Sequence, residues 1–140
     1  MTLIVDFSDG FTSASSPVLA GNSPEEYALL NNQSSFVNIT GLSFDNTVYT
    51  SVFIDYELEL SDATPILYRQ AGSIVLAYNG SSWIIEPGSY IGNSILTTSA
   101  PMAGEIQLQM SGNQVQYKSG NMTGGSFSGI FKLIITRVTA

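Results

Sequence analysis

The chain has 140 residues, of which 44% are hydrophobic and only 11% are charged. Its formal charge is −7, and it contains neither histidine nor cysteine. This length and hydrophobic content predict a single domain with a buried core. The negative charge repels phosphate backbones and anionic lipid, so nucleic acid and membrane surfaces are not expected partners. Because histidine and cysteine are the side chains that most often act as bases or nucleophiles near neutral pH, we expect no enzyme activity, and no motif calls for a cofactor or a metal.

Residues 1–35 are predicted to form an irregular N-terminal arm. Leu3–Phe7 has the composition of a short strand, Ser8-Asp9-Gly10 is a turn signal, and the Ser-rich stretch Thr12–Pro17 is typical of an exposed connector. Ser23 could cap a single helical turn, or a strand could begin at Tyr27. The first residues lack the basic and long apolar regions of a signal peptide, so we expect synthesis in the cytoplasm without export.

Five apolar residues are scattered through this arm, and we predict that they form an interface. A stretch this rich in serine buries too little apolar surface to order by itself, but it could gain order against a neighbouring subunit. The predicted interface residues are Phe7, Phe11, Val18, Leu19 and Tyr27. In the alternative interpretation, residues 1–35 supply one edge strand and a loop that cover their own domain.

Residues 36–140 are predicted to form the β-sandwich domain. Phe36–Thr40 is a short strand ended by Gly41, and Thr50–Leu60 alternates strictly between two faces. Ile66–Gln70 follows as a strand, and Gly72 marks a bulge. In Thr50–Leu60, the inward face is Val52, Ile54, Tyr56, Leu58 and Leu60, and the outward face is Phe53, Asp55, Glu57 and Glu59.

Two turn signals predict hairpins. Asn79-Gly80 favours a type I′ turn with a two-residue loop, and Gly112-Asn113 favours a type II′ turn. In the first hairpin, Leu76 would oppose Trp83, Ile74 would oppose Ile85 and Val75 would oppose Ile84. In the second, Met110 would oppose Val115 and Leu108 would oppose Tyr117 inward, while Gln109 would oppose Gln116 outward. This second register separates the two faces cleanly, and a slip of one residue would destroy the separation.

The last strand, Gly129–Val138, is apolar on both sides, which predicts a position in the middle of a sheet or under a second sheet. Leu108, Leu133 and Ile135 are predicted core residues. The chain is therefore predicted to be all-β, a single-domain β-sandwich or jelly roll of seven to eight strands with an irregular N-terminal segment.

Candidate chemical sites are few. Asp55, Glu57 and Glu59 could bind Ca²⁺, although a solvated strand face is the favoured interpretation. Asp6 and Asp9 lack the alternating spacing of a cation loop, and a plain turn is favoured there. Exposed aromatic residues could form a platform for a sugar, drawn from Trp83, Tyr68, Tyr78, Tyr90 and Tyr117, of which Trp83 and Tyr117 are expected to be core residues.

Two stretches of the chain resemble β-rich modules of tailed-bacteriophage virion proteins, which include tail-fibre segments and capsid-decoration proteins. The first runs from Asn38 to Tyr56 and continues through Arg69–Ile74 to Trp83, and the second runs from Gly112 to Gly129. The resemblance covers about residues 36–138. It implies a virion-borne β-sandwich with no catalytic residues.

Two functional classes follow from these observations. The favoured one is a non-enzymatic virion structural protein, most readily a capsid decoration or accessory protein that binds and reinforces the particle surface. Its expected partners are capsid or tail proteins of the same particle and further copies of itself in a homo-oligomer. The alternative is a tail-fibre or receptor-binding module that recognises a glycan through exposed aromatic residues beside polar loops, such as Gly88–Asn93 or Gly120–Gly125.

Overall fold

The computed structural model describes residues 23–63 and 67–140, and these form two antiparallel sheets. The described residues contain no helix, and therefore none that could cross a membrane. The prediction of an all-β sandwich is confirmed. The strands are β1 (Glu25–Leu29), β2 (Val37–Ser43), β3 (Tyr49–Ser61), β4 (Leu67–Tyr78), β5 (Trp83–Ile91), β6 (Ile106–Ser111), β7 (Gln114–Ser119) and β8 (Ser128–Thr139).

The larger sheet has five strands in the order β1-β8-β3-β4-β5, and the smaller has three in the order β2-β7-β6. β3 lies at the centre of the larger sheet and pairs with β8 on one side and β4 on the other. The two sheets also meet along their edges, where β1 contacts β2 and β5 contacts β6. As predicted, the apolar strand β8 lies inside a sheet, between β1 and β3.

The core lies between the inner faces of the two sheets. β3 contributes the alternate residues expected of it, and Val52 and Leu58 are completely buried. The predicted core residues Leu108, Leu133 and Ile135 are buried, as are Trp83 and Tyr117. The polar atoms of these two aromatic residues are satisfied, since the Trp83 indole donates to Asn113 Oδ1 at 3.1 Å and the Tyr117 hydroxyl accepts from the Leu30 amide at 2.7 Å.

The β6–β7 hairpin has the predicted register at every pair. Gly112 has φ +58°, and among the described residues only Asn32 and Ser126 have a positive φ without being glycine. Asn113 therefore has a negative φ, as a type II′ turn requires. On the outer side, the Gln109 side-chain amide donates to Gln116 Oε1 at 2.8 Å.

The predicted register of the β4–β5 hairpin is wrong by two residues. Tyr78 pairs with Trp83 and Leu76 with Ile85, so Asn79–Ser82 form a four-residue loop. The physical reason is local, because the Asn79 side-chain oxygen accepts the amides of both Ser81 and Ser82 at 2.9 Å. A shift of two residues preserves the faces of the strand, so Trp83 and Ile85 still point inward. The predicted bulge beside Gly72 is present as a shift of register between Gly72 and Ile74.

Strand β1 lies within residues 1–35, where an edge strand was the alternative to an irregular arm, and it forms one edge of the larger sheet. Glu25–Leu29 pairs with Leu133–Gly129 of β8, so these residues belong to the sandwich and not to an irregular segment. The local reason is their alternation, with Tyr27 and Leu29 on the inner face. The predicted strand Leu3–Phe7 and the residues Phe7, Phe11, Val18 and Leu19 lie outside the described residues.

Candidate functional site: the outer face of the larger sheet

One half of the outer face of the larger sheet is apolar. Phe53, on the solvent side of β3, lies between Val75 of β4 and Thr136 of β8 in the ladder and is 48% exposed. Side chains on the same face of neighbouring strands contact one another directly or diagonally, so the exposed apolar residues around Phe53 form one patch. We call the apolar patch the set Phe53, Val75, Ile84, Ile134 and Val138, all of which are exposed.

The other half of this face carries four charged side chains that are paired with one another within the sheet. Arg69 Nε donates to Glu59 at 3.0 Å and lies 3.4 Å from Glu57, and Lys132 Nζ lies 3.7 Å from Glu57. The hydrogen bond from Arg69 holds the pKa of the Glu59 carboxyl below its usual value. Because these pairs are exposed to solvent, they contribute more to solubility than to stability.

Two of the three carboxylates of β3, Glu57 and Glu59, are paired with cations of neighbouring strands. Among the described residues, no group of three or more acids is placed to hold a metal ion. The calcium alternative for Asp55, Glu57 and Glu59 therefore has no support from the described geometry. Asp6 and Asp9 lie outside the described residues.

A shallow hollow of about 220 Å³ lies where the charged half meets the apolar patch. Pro24, the residue just before β1, forms one wall, and Ile134 of the apolar patch is also part of the lining. The chain therefore enters β1 beside the outer face of the larger sheet. The residues that line the hollow are Pro24, Asp55, Tyr56, Glu57, Lys132 and Ile134.

Tyr27 is the predicted interface residue that the structure describes, and it packs on its own domain. It is partly buried against the core, and its hydroxyl donates to Glu25 Oε1 at 2.6 Å. Burial, followed by this hydrogen bond, raises the pKa of Tyr27 to about 12. Arg137 Nη1 lies 3.2 Å from the other Glu25 oxygen. Burial alone would raise the pKa of Glu25, but its hydrogen bonds with Arg137 and Tyr27 outweigh that effect and lower the pKa.

A second group of exposed polar and aromatic residues lies at one end of the sandwich. Tyr68 of β4 is 39% exposed and packs against Gly104, where a Cβ atom would approach the ring to 2.5 Å. The nearby Gly124 amide donates to Asp62 Oδ2 at 2.9 Å. These side chains surround a hollow of about 100 Å³, which is lined by Asp62, Tyr68, Ala103, Asn121, Met122 and Thr123.

The apolar patch was not identified from the sequence, although signals for it were present. Phe53 falls on the same strand face as three acids, and the pairs formed by β4 and β5 are apolar on both faces. Those patterns indicated a covered face but could not show which exposed residues from separate strands are neighbours. That information comes from the strand order and the registers of β3 with β4 and β8.

These features define an all-β sandwich with an exposed apolar patch on the outer face of its larger sheet. No protein-family model matches the chain, and no curated protein matches it. Among solved structures, the sandwich is similar to part of the crystal structure of the Acinetobacter phage vB_ApiP_P1 tailspike protein, with a TM-score of 0.52 and 8% sequence identity. The match covers 96% of this chain but 25% of the tailspike chain, so the chain spans about a quarter of that protein. At this identity the similarity concerns the fold.

Proposed function

We propose that this chain is a non-enzymatic structural module of a tailed-phage virion that binds another virion protein through the outer face of its larger sheet. The observation on which the proposal depends is the apolar patch around Phe53. The resemblance of residues 36–138 to virion modules and the fold similarity to a phage tailspike support a particle-borne role. We propose a tail location before capsid decoration because one solved structure of similar fold is a tailspike.

The patch has the composition of an interface centre. It contains one aromatic and four aliphatic side chains, with Asp55 opposite Ile134 and Glu86 opposite Val75 at its margin, and a row of paired charges borders it. Protein interfaces commonly have this arrangement, with a desolvated apolar centre and a polar rim, and a few large side chains supply most of the binding energy. Phe53 is the largest side chain of the patch and lies on the central strand, so we assign it as the main anchor.

The predicted interface residues Phe7, Phe11, Val18 and Leu19 extend this proposal. They precede Pro24, which lies beside the patch, so we propose that they add to the same contact with the partner. Deletion of residues 1–22 removes no described strand and should yield a folded protein with weakened particle binding. Loss of folding on deletion would assign these residues to the core instead.

Co-sedimentation with phage particles tests the main proposal. Phe53→Glu places a charge at the centre of the patch and should reduce particle binding at least tenfold, while thermal unfolding stays close to that of the parent chain, since Phe53 is on the solvent side of the sheet. Gln109→Glu, on the outer face of the smaller sheet, is the matched control and should bind normally. Normal binding of Phe53→Glu, or equal loss in both variants, would contradict the assignment.

A glycan-binding function is the second candidate, and the hollow beside Tyr68 favours it. One face of the ring rests on Gly104, while the side chain stays partly open to solvent beside Asn121 and Thr123. Aromatic rings with neighbouring amide and hydroxyl groups are suited to the faces and hydroxyls of a sugar. Binding of host polysaccharide that is lost in Tyr68→Ala, but kept in the control Tyr90→Ala, would support this function over the structural one.

A further inference from the structure

The loop that joins β4 to β5 contains the one Asn-Gly pair of the sequence, Asn79-Gly80, and both residues are exposed. An asparagine that precedes glycine is prone to deamidation, in which the main-chain nitrogen of the next residue attacks the carbon of the side-chain amide. Glycine favours this attack because it has no Cβ atom to obstruct it. The sequence therefore supplies the reacting groups, and the fold decides how they are held.

The fold holds the oxygen of the Asn79 side-chain amide with two main-chain donors. Asn79 Oδ1 accepts hydrogen bonds from the amides of Ser81 and Ser82, each at 2.9 Å. The Asn79 amide in turn donates to the Ser82 carbonyl oxygen at 3.1 Å and closes the loop. Attack on an amide carbon places negative charge on its oxygen, and N–H groups already aimed at that oxygen stabilise the charge, as in an oxyanion hole.

The attacking and leaving groups of the same pair form no hydrogen bond within the part of the chain that the structure describes. The Gly80 nitrogen, which would attack, and Asn79 Nδ2, which would leave, have no acceptor there. A Cβ atom on Gly80, whose φ is +93°, would meet nothing within 4 Å. The loop therefore fixes the carbonyl oxygen, while the nucleophile and the leaving group stay open to water.

The other described asparagines differ from Asn79, because each of them precedes a residue that has a side chain. Three of them also use Nδ2 to hold a partner elsewhere in the fold. Asn31, Asn46 and Asn93 donate these bonds at 2.7, 2.9 and 2.6 Å. Such bonds retain the amide group that deamidation must release, so these three residues are internal references for Asn79.

We propose that Asn79-Gly80 is a site of spontaneous deamidation and that the folded loop promotes the reaction. The Gly80 nitrogen loses its proton to water and bonds to Asn79 Cγ, and the Cγ–Nδ2 bond breaks with release of ammonia, which leaves a cyclic succinimide. One water then opens the ring. Cleavage at Cγ gives aspartate, and cleavage at the main-chain carbonyl carbon gives isoaspartate. Either product adds one negative charge to the formal charge of −7.

The two products affect the hairpin differently. Aspartate keeps the oxygen that accepts from Ser81 and Ser82 and gives it a charge, which strengthens both hydrogen bonds. Isoaspartate instead adds one carbon to the main chain of the loop, directly beside the Tyr78–Trp83 pair of the β4–β5 ladder. The inference concerns the purified chain alone and does not depend on the virion role.

Peptide mapping by mass spectrometry tests the proposal, with the purified full chain incubated at mildly alkaline pH. We expect Asn79 to convert at least tenfold faster than Asn31, Asn46 and Asn93. The same incubation in guanidinium chloride gives the rate for the unfolded chain, and Asn79 should convert faster in the folded chain than in the unfolded one. Equal or slower conversion in the folded chain would show that the loop does not promote the reaction and would overturn the proposal.

Two variants isolate the contribution of the main-chain donors. Ser81→Pro removes one of the two N–H groups that hold Asn79 Oδ1 and should slow conversion several-fold in the folded chain only. Ser81→Ala keeps that N–H group and is the matched control, with conversion at the parent rate. Equal rates in Ser81→Pro and the parent chain would contradict the role of these donors. If Ser81→Pro does not fold, the comparison of the folded and unfolded parent chain decides the question.

Discussion

Leu108 and Tyr117 lie directly opposite each other in the β6–β7 ladder, and both side chains are buried in the core. The same ladder places Gln109 opposite Gln116 on the outer side, where their side chains are hydrogen-bonded. A hairpin therefore separates its apolar and polar pairs between two faces, and the apolar pair contributes to the packing between the sheets. This pair defines the first prediction.

Leu108→Ala should lower the free energy of unfolding by about 2–5 kcal/mol, because it removes buried methyl groups and leaves a cavity. Urea denaturation monitored by tryptophan fluorescence measures the change, since Trp83 is part of the same core. Gln107→Ala, one residue earlier and only half-buried, is the control and should change stability by less than about 0.5 kcal/mol. A comparable small loss for Leu108→Ala would mean that the register is wrong.

The Tyr27–Glu25 hydrogen bond predicts a loss of stability at alkaline pH. The pKa of Tyr27 is raised to about 12 in the folded chain, against about 10 in an unfolded one. Between these values the unfolded state loses the phenolic proton first, so the contribution of this group is complete below pH 10 and is lost as the pH rises toward 12. Unfolding free energies measured across this range should fall less steeply in Tyr27→Phe than in the parent chain.

Glu25→Gln provides a second check on the same pair. It removes the carboxylate that accepts the hydrogen bond from the Tyr27 hydroxyl but keeps a side chain of the same size. Absorbance titration near 295 nm should show Tyr27 ionising at lower pH in Glu25→Gln. A titration and a stability profile identical to those of the parent chain in both variants would show that the bond has no role in solution.

Gly120 and Gly125 lie in one loop and should respond differently to alanine. A Cβ at Gly120 would lie 1.9 Å from the Met102 carbonyl oxygen, so the backbone of two loops must move apart. A Cβ at Gly125 meets nothing within 4 Å, although its φ of +82° disfavours alanine. Gly120→Ala should cost about 1–3 kcal/mol or more from overpacking, and Gly125→Ala about 1–2 kcal/mol from strain alone. Thermal denaturation of both variants compares the two costs.

The expectation that the chain is not an enzyme can be tested by replacing each acid singly with its amide. A hydrolase in this chain would depend on a carboxylate, because no histidine or cysteine is present. We expect every variant to retain particle binding and infectivity of the assembled phage. One acid-to-amide change that abolishes function while circular dichroism and stability are unchanged would restore an enzyme as a candidate.

Much of the fold could be predicted because strand alternation is a local property. Alternating residues placed Val52 and Leu58 inside, and the Gly112-Asn113 signal gave the β6–β7 register, since a two-residue turn leaves one pairing that separates the faces. The Asn79-Gly80 signal gave the correct faces but the wrong loop. There the Asn79 side-chain oxygen accepts hydrogen bonds from the amides of Ser81 and Ser82 and so stabilises a longer turn. The Asn-Gly dipeptide alone does not show that these bonds will form.

The sequence by itself determined the class of fold and the core-facing residues of the long strands, because these depend on the two-residue period of a strand. It also determined that side chains suited to catalysis are scarce, because that depends on composition. Only the tertiary structure decided that Glu25–Leu29 joins the sheet beside β8 and that Phe53 and Ile134 share one exposed patch. These features depend on which distant strands become neighbours. That choice results from packing the whole core at once, and no local stretch of the chain contains it.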